Sequence, residues 1–346
     1  MFNSIFDNFI LKKEVPLHKS SWIYYLGGLT MFCFFIQLVT GLLLLPYYEP
    51  TIINAYQSIE YINYFVPNGF FIRNLHAWSG SFMIFFATIH LLTVFATKSY
   101  LKPRELTWIT GVLLLVITLG FGFSGYLLPW HQIAVNATKV GMEILQSSTS
   151  FLPGIFKLPG EILATNLRGG PTITQATLSR FFALHVVILP FLFFSLLGIH
   201  LLFVQLHGMN KEGFEVKKYE KFFPDFFIKD LAVWLFLFLI LLITSQALPY
   251  DSFLPYPLKA AYIANSATPS GIKPEWYFLF LYYPLEVLPK TFVILGSFVI
   301  FLSILFTPVF FKKLSLKAHK LIAALVFVYL FIATIWGDSI VHFIRK

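Results

Sequence analysis

The chain has 346 residues, of which 58% are hydrophobic and only 12% are charged. A soluble domain of this length cannot bury so much apolar surface, so the composition excludes a soluble protein and indicates several membrane-spanning helices. The formal net charge of +9 does not require nucleic acid. The basic residues cluster between the apolar stretches, where anionic lipid headgroups are the expected neighbours.

Seven apolar stretches are long enough to span a bilayer. They are residues 21–46, 76–97, 106–128, 179–204, 230–248, 291–311 and 318–341. The segment before the first stretch, Phe2 to Leu11, has no cleavage pattern and is interpreted as a short interfacial helix. We predict an all-α membrane protein with seven transmembrane helices, divided into a four-helix part (1–215) and a three-helix part (216–346).

Lysine and arginine residues fix the predicted orientation. With the N-terminus inside, most of them fall in the shorter loops on the inner side. The positive-inside rule then predicts an N-terminus on the inner, cytoplasmic side. The two longest loops, 129–178 and 249–290, lie on the outer side and are expected to carry chemistry.

Two apolar stretches each contain a pair of histidines. His76 and His90 are 14 residues apart in the second span, and His185 and His200 are 15 apart in the fourth. Fourteen residues of α-helix turn about −40° from a whole number of turns and fifteen about +60°, so each pair lies near one helix face. Ionisable side chains inside a membrane are costly and usually functional. Four unrelated histidines bonded to their own helices are the alternative, and it does not explain the matching positions.

Parallel second and fourth spans would bring these residues together as two facing pairs. We name His76 with His185 the outer pair and His90 with His200 the inner pair, after the predicted orientation. Each pair is predicted to hold the iron of one b-type haem. Ligation by two histidines leaves no open iron position, which suits electron transfer.

Glycine and arginine positions agree with this prediction. Gly27 and Gly41 are 14 residues apart in the first span, as are Gly111 and Gly125 in the third, and residues without a Cβ leave room for a flat macrocycle. Ordinary close helix packing is the alternative use of such glycines. Arg73 and Arg180 stand shortly before the outer histidines, where a haem propionate is a candidate partner and the headgroup region is the alternative.

Five segments, taken in order along the chain, resemble cytochrome b of the cytochrome bc complexes. They are Arg73–His76, Pro103–Gly111, Ser124–Trp130, Leu178–His185 and Lys273–Phe280. The resemblance implies a quinol:cytochrome c or plastocyanin-like oxidoreductase with two b haems, a quinol-oxidising site outside and a quinone-reducing site inside, coupled to proton translocation. It also implies a Rieske-type iron–sulfur protein and a c-type cytochrome as partners, and a homodimeric complex.

Some features resemble the photosynthetic branch of this family. The spacing of 15 in the fourth span and the number of spans are typical of that branch, and Cys33 stands where it attaches a third, c-type haem. A buried structural cysteine is the alternative. The chain departs from the branch in being one polypeptide. It also has Thr93 and Gln205 where arginines are common in relatives, so Lys98 or His207 is the expected substitute near the inner haem.

The loop Lys273–Phe280 supplies the predicted catalytic residues. Glu275 is predicted to accept a quinol proton, and Tyr277 and Tyr282 to shape the pocket or bond the quinone ring. Residues 136–146 are the expected opposite wall, with His131 as a candidate titrating group. On the inner side the candidates for a quinone site are Gln205, His207, Lys211 and a haem on Cys33.

Two other classes of protein share part of this pattern. A dihaem membrane anchor, linking a dehydrogenase or hydrogenase to the quinone pool, would need the four histidines but neither the last three spans nor the loop with Glu275. A transporter or channel would use intramembrane charges as a path, and it would leave the two glycine pairs unexplained.

Overall fold

A computed structural model of the chain describes residues 13–149, 158–211, 214–253, 259–264 and 272–345. The predicted interfacial helix, Phe2 to Leu11, lies outside these residues. The helices run in the order α1 (Tyr25–Leu44), α2 (Ala55–Tyr64), α3 (Gly69–Ala96), α4 (Glu105–Leu127), α5 (Gln132–Ser147), α6 (Leu158–Arg168), α7 (Gln175–Ala183), α8 (Leu189–His207), α9 (Phe227–Ala247), α10 (Leu279–Val287), α11 (Lys290–Leu305), α12 (Thr307–Phe310) and α13 (Leu316–Ile344).

Six helical segments within the described ranges are long and apolar enough to cross a membrane, and α11 is a shorter apolar helix. The prediction of an all-helical membrane fold with seven spans is therefore confirmed. Two short strands were not predicted: β1 (Glu14–Leu17) pairs antiparallel with β2 (Lys218–Lys221). This pairing joins the chain before the first span to the chain after the fourth.

The first four spans pack in two pairs, α1 along α3 and α4 along α8. The largest apolar core cluster lies among them and includes Phe34, Leu75, Leu114 and Phe193. The later spans pack outside this bundle: α9 contacts α1 and α3, and α13 contacts α3 and α10. The bundle is thus the part of the molecule that can enclose large groups between helices.

The fourth span is not a uniform α-helix. A π-turn, Leu184–Ile188, joins α7 to α8 and contains His185. A π-turn takes up one more residue than an α-turn, and Pro190 next to it has no N–H with which to continue regular bonding. The extra residue compensates for the spacing of 15, so His185 and His200 present the same face as a pair 14 residues apart.

The predicted sixth span, 291–311, is interrupted at Phe306, between α11 and α12. Pro308 has no N–H to donate to the carbonyl of Ile304, which accepts from the Thr307 hydroxyl at 2.8 Å instead. The indole Nε1 of Trp108 in α4 donates to this carbonyl at 2.7 Å. The break therefore provides a bond between the three-helix part and the four-helix part.

Candidate functional site

The two histidines of the outer pair face each other across the bundle. The ring centres of His76 and His185 are 6.3 Å apart, and both rings line a cavity of about 310 Å³. A metal–imidazole bond is about 2 Å long, and two such bonds plus the distance from each nitrogen to its ring centre account for this separation. In the inner pair, His90 and His200 are close enough to interact electrostatically.

Each of the four predicted glycines lies against one of the four histidines. A Cβ added at Gly41 would meet the His76 ring at 3.4 Å, and one at Gly125 the His185 ring at 2.7 Å. The corresponding distances are 3.4 Å from Gly27 to His90 and 3.2 Å from Gly111 to His200. The glycines therefore make room for the imidazole rings themselves, which is a more specific use than the predicted space for a macrocycle.

Three of the histidines are oriented by a hydroxyl group, which belongs to the residue immediately before the facing glycine. The Nδ1 atoms of His76, His200 and His185 lie 2.9, 2.9 and 3.0 Å from the hydroxyl oxygens of Thr40, Thr110 and Ser124. Each hydroxyl donates its one hydrogen to a backbone carbonyl of its own helix, at 2.6 to 2.9 Å.

A hydroxyl whose hydrogen is already used can only accept from the imidazole. The proton of each of these three rings is therefore on Nδ1, and the lone pair on Nε2 is free for a metal. The fourth histidine differs. No described residue bonds Nδ1 of His90, although the atom is buried, because the residue before its glycine is Leu26.

Aromatic side chains fill the space between the two pairs. The rings of Phe34 and Phe193 lie 4.1 Å apart, and Phe121 packs edge-on against His185 at 5.6 Å. Phe34 stands seven residues from both Gly27 and Gly41. The distances, the tautomers and the small residues all fit a haem at the outer pair. At the inner pair, the glycines and His200 fit equally well.

The two predicted arginines have different surroundings. Arg73 lines the outer cavity and forms an ion pair with Asp251 at 2.6 Å. Arg180 is exposed and donates to the backbone carbonyl of Asn166. It is absent from the lining of that cavity, so of the two arginines only Arg73 lies where a propionate of the outer haem would need a cation.

The three predicted catalytic residues come together around a second cavity. It has a volume of about 320 Å³ and is lined by Glu275, Tyr277 and Tyr282 on one side and by Val140, Gly141 and Ile144 of α5 on the other. The predicted opposite wall, residues 136–146, is therefore in place. Glu275 and Tyr277 also line the outer cavity, so they stand between the two spaces.

Glu275 is held by a bond from the Tyr250 hydroxyl, which it accepts at 3.0 Å. Burial raises the pKa of Glu275 to about 7, against the effect of that bond, and the negative charge of Asp251 raises it further. Asp251 behaves differently. Burial works to raise its pKa, but the adjacent Arg73 outweighs this effect and lowers it. One carboxyl in this region is thus poised to exchange protons near neutral pH and the other is a fixed anion.

His131 caps the start of α5, where its Nδ1 accepts from the backbone N–H of Ala134 at 3.1 Å. Burial lowers the pKa of His131 to about 4, although Asp251 opposes the shift. The ring is therefore neutral at pH 7. The expectation that it titrates in the working range is wrong for this environment, and its role here is to position the helix that forms the pocket wall.

The candidates on the inner side are more dispersed. Lys13 donates to the side chain of Gln205 at 3.0 Å and to two backbone carbonyls at the end of α8. His207 lies 3.4 Å from the Thr107 hydroxyl, and Lys98 donates to the carbonyls of Lys312 and Leu314. Lys211 is exposed. The structure does not bring these side chains into one cluster.

Two further side chains bear on the four-helix part. Asp230 was not singled out in the sequence, and Cys33 was predicted to attach a haem. Asp230 faces Gly28, where a Cβ would lie 2.8 Å from its Oδ2, and its Oδ1 is buried without a described partner. Its only signal in the sequence is that Lys229 and Asp230 stand at the start of the fifth apolar stretch. Cys33 is fully buried among apolar residues of the bundle core.

Comparison with known proteins agrees with the arrangement of histidines and of the loop at Glu275 described above. The family model described as "Cytochrome b/b6/petB" matches residues 10–208, and the model "Cytochrome b(C-terminal)/b6/petD" matches residues 263–341. The chain belongs to the cytochrome b family. The range matched by the first model includes all four histidines, and the range matched by the second includes Glu275.

Individual relatives are similar to different parts of this cytochrome b. A "Cytochrome bc complex cytochrome b subunit" from Chlorobaculum thiosulfatiphilum is 45% identical over 80% of the chain, which spans 62% of that protein. Cytochrome b6 from Synechococcus sp. (strain CC9605) is 39% identical over 57% of the chain and 87% of its own length. A chain of the solved "Hyperthermophilic respiratory Complex III" has a TM-score of 0.84 at 27% identity, covering 97% of this chain and 88% of that one.

Proposed function

We propose that this cytochrome b is the membrane core of a quinol:cytochrome c or plastocyanin-like oxidoreductase. One observation supports this function above the others: Glu275 and Tyr277 line both the cavity at the outer histidines and the second cavity beside α5. A quinol in the second cavity would be separated from the outer cavity by these two side chains and by Tyr126, which also lines both spaces. A dihaem anchor has no use for such a pocket.

Two b haems would be held by the outer and inner pairs and would carry single electrons across the membrane. The hydroxyls of Thr40, Thr110 and Ser124 keep three of the ligands in the metal-binding tautomer. The aromatic rings between the pairs exclude water from the path. Arg73, already paired with Asp251, is the proposed cation for an outer propionate.

Oxidation of one quinol to quinone releases two electrons and two protons. Glu275 is the proposed acceptor of one proton, since its pKa of about 7 allows it to take up and release a proton near neutral pH. Tyr277 and Tyr282 orient the ring. A Rieske-type iron–sulfur protein, serving a c-type cytochrome, would accept one electron, and His76 and His185 would hold the haem that accepts the other.

The inner quinone-reducing site is proposed near the inner pair, with proton uptake from the cytoplasm. Asp230 joins Gln205, His207 and Lys211 as a candidate because it is a carboxyl that faces Gly28, the residue after the glycine that contacts His90. Proton release outside and uptake inside would couple the reaction to proton translocation. The division into parts 1–215 and 216–346 and the location in a bacterial inner membrane, with the N-terminus in the cytoplasm, belong to the same proposal.

A third haem on Cys33 remains a prediction from the sequence. Because the thiol is fully buried in a packed apolar cluster, attachment of a macrocycle would require displacement of neighbouring side chains. A haem stain of the denatured chain distinguishes the cases, since only a covalently attached haem stays with the polypeptide.

The decisive test of the proposed function is Glu275→Gln in the assembled complex. Quinol oxidation should fall by at least about 100-fold, because the amide cannot accept the proton, and both b-haem spectra should remain intact. Glu161→Gln is the matched control, since Glu161 is exposed on α6 and lines neither cavity. Undiminished turnover in Glu275→Gln, or a wild-type complex without quinol oxidation, would refute the proposal.

A further inference from the structure

The four histidines do not have equivalent surroundings. Nδ1 of His76, His185 and His200 is within 3.0 Å of a hydroxyl oxygen, whereas Nδ1 of His90 is buried without a described partner. The difference follows one rule along the sequence. The residue before the facing glycine is Thr40, Ser124 or Thr110 in three cases and Leu26 in the fourth.

The facing glycines also differ in their positions along their helices. Gly41, Gly111 and Gly125 lie well inside their helices, so each preceding Thr or Ser can donate to a carbonyl one turn earlier. Gly27 is the third residue of α1 and follows a single turn of 3-10 helix, Ser21–Tyr24. The His90 ring therefore lies against a glycine at the very start of the helix, and the residue before that glycine is the buried, apolar Leu26.

An acceptor on Nδ1–H increases the electron donation of an imidazole to a bound metal. Stronger donation stabilises the more highly charged, oxidised iron, and weaker donation favours the reduced iron. With one unbonded ligand, the inner pair is the weaker donor of the two. The outer pair has both of its ligands bonded to hydroxyls.

We propose that Leu26 makes the inner site easier to reduce than the outer one, by withholding a hydrogen-bond acceptor from the ligand His90. The residue is a positioning residue, because it acts through the histidine. The inference rests on the proposed function, in which both pairs hold haem. Its consequence is that an electron arriving at the outer pair has a free-energy gradient toward the inner pair.

The test is Leu26→Thr in the assembled complex, with redox titration of the two b-haem absorption bands. The new hydroxyl can donate to the preceding turn and accept from His90, so the inner midpoint potential should fall. A shift of about tenfold in the electron equilibrium between the haems, equal to about 59 mV for one electron, is expected. The outer potential should not change.

Leu26→Val is the matched control, since valine has the shape of threonine without the hydroxyl, and it should leave both potentials unchanged. Thr40→Val is the reciprocal variant and should raise the outer potential, which also narrows the difference. The inference fails if Leu26→Thr moves neither potential, or if the valine variant moves the inner one equally. A wild-type chain with fewer than two b haems would instead refute the proposed function.

Discussion

The outer and inner histidine pairs share ligands, glycines and helices, but their surroundings differ. Around the outer pair lie a cavity of about 310 Å³ and several polar side chains, namely Arg73, His131, Tyr250, Asp251 and Glu275. Around the inner pair, Lys13 and Lys98 bond to backbone carbonyls, and Nδ1 of His90 has no partner among the described residues. Similar histidine geometry is thus combined with a polar, titratable environment at the outer pair and, under the proposal above, with electron acceptance at the inner pair.

The largest expected effect comes from replacing one histidine of a pair, which tests whether the outer and inner pairs are independent sites. His185→Leu should abolish the outer haem and leave the inner one, and His200→Leu should do the reverse, because each pair is built from separate residues. A pyridine haemochrome assay should find one b haem per chain in each variant, with different absorption bands remaining. Loss of both haems from either variant, in a chain that still assembles, would contradict two independent sites.

A smaller effect is expected from the glycines. Gly125→Ala would place a methyl group 2.7 Å from the His185 ring, whereas Gly27→Ala would place one 3.4 Å from His90. The first variant must displace a ligand, and the second needs only ordinary contact. We expect Gly125→Ala to weaken outer haem binding by about 10- to 100-fold and Gly27→Ala to retain both haems, as measured by haem content per chain. Equal losses in the two variants would show that ring contact is not the cause.

The pH dependence of turnover should sharpen the contrast further. Glu275 must be deprotonated to accept a proton, and its pKa is raised to about 7. Quinol oxidation should therefore fall about tenfold for each pH unit below about 7 and level off above it. Stopped-flow reduction of the b haems by quinol measures this profile. The dependence should disappear in Glu275→Gln, and a profile unchanged in that variant would assign the titration to another group.

Much of this arrangement can be predicted from the sequence because membrane helices are regular. The spacing of His76 and His90, and of the glycines, fixes the face and depth of each residue once the spans are known. The motif around Glu275 carries its own signal. These features depend on local periodicity, which tertiary contacts do not alter.

The remaining features depend on contacts between distant parts of the chain. Arg180 stands at the right depth, but its side chain bonds to the backbone carbonyl of Asn166 in α6, a direction that residue counting does not give. The pairing of Lys13 with Gln205 requires a strand that has no periodic signal. His131 is neutral because of burial by neighbours far away in sequence. The break before Pro308 can be predicted from the proline itself. The bond from Trp108 to the Ile304 carbonyl at this break cannot.

The π-turn at Leu184–Ile188 has a consequence for distance as well as for direction. A straight α-helix would separate His185 from His200 by about 22 Å along the axis, against about 21 Å between His76 and His90. The histidines of one pair would then no longer lie at the same depth. The wider turn takes up the additional residue with little additional rise. In the proposed function, the distance that an electron would cross between the two pairs is then set by the second span, and the fourth span adapts its pitch to match it.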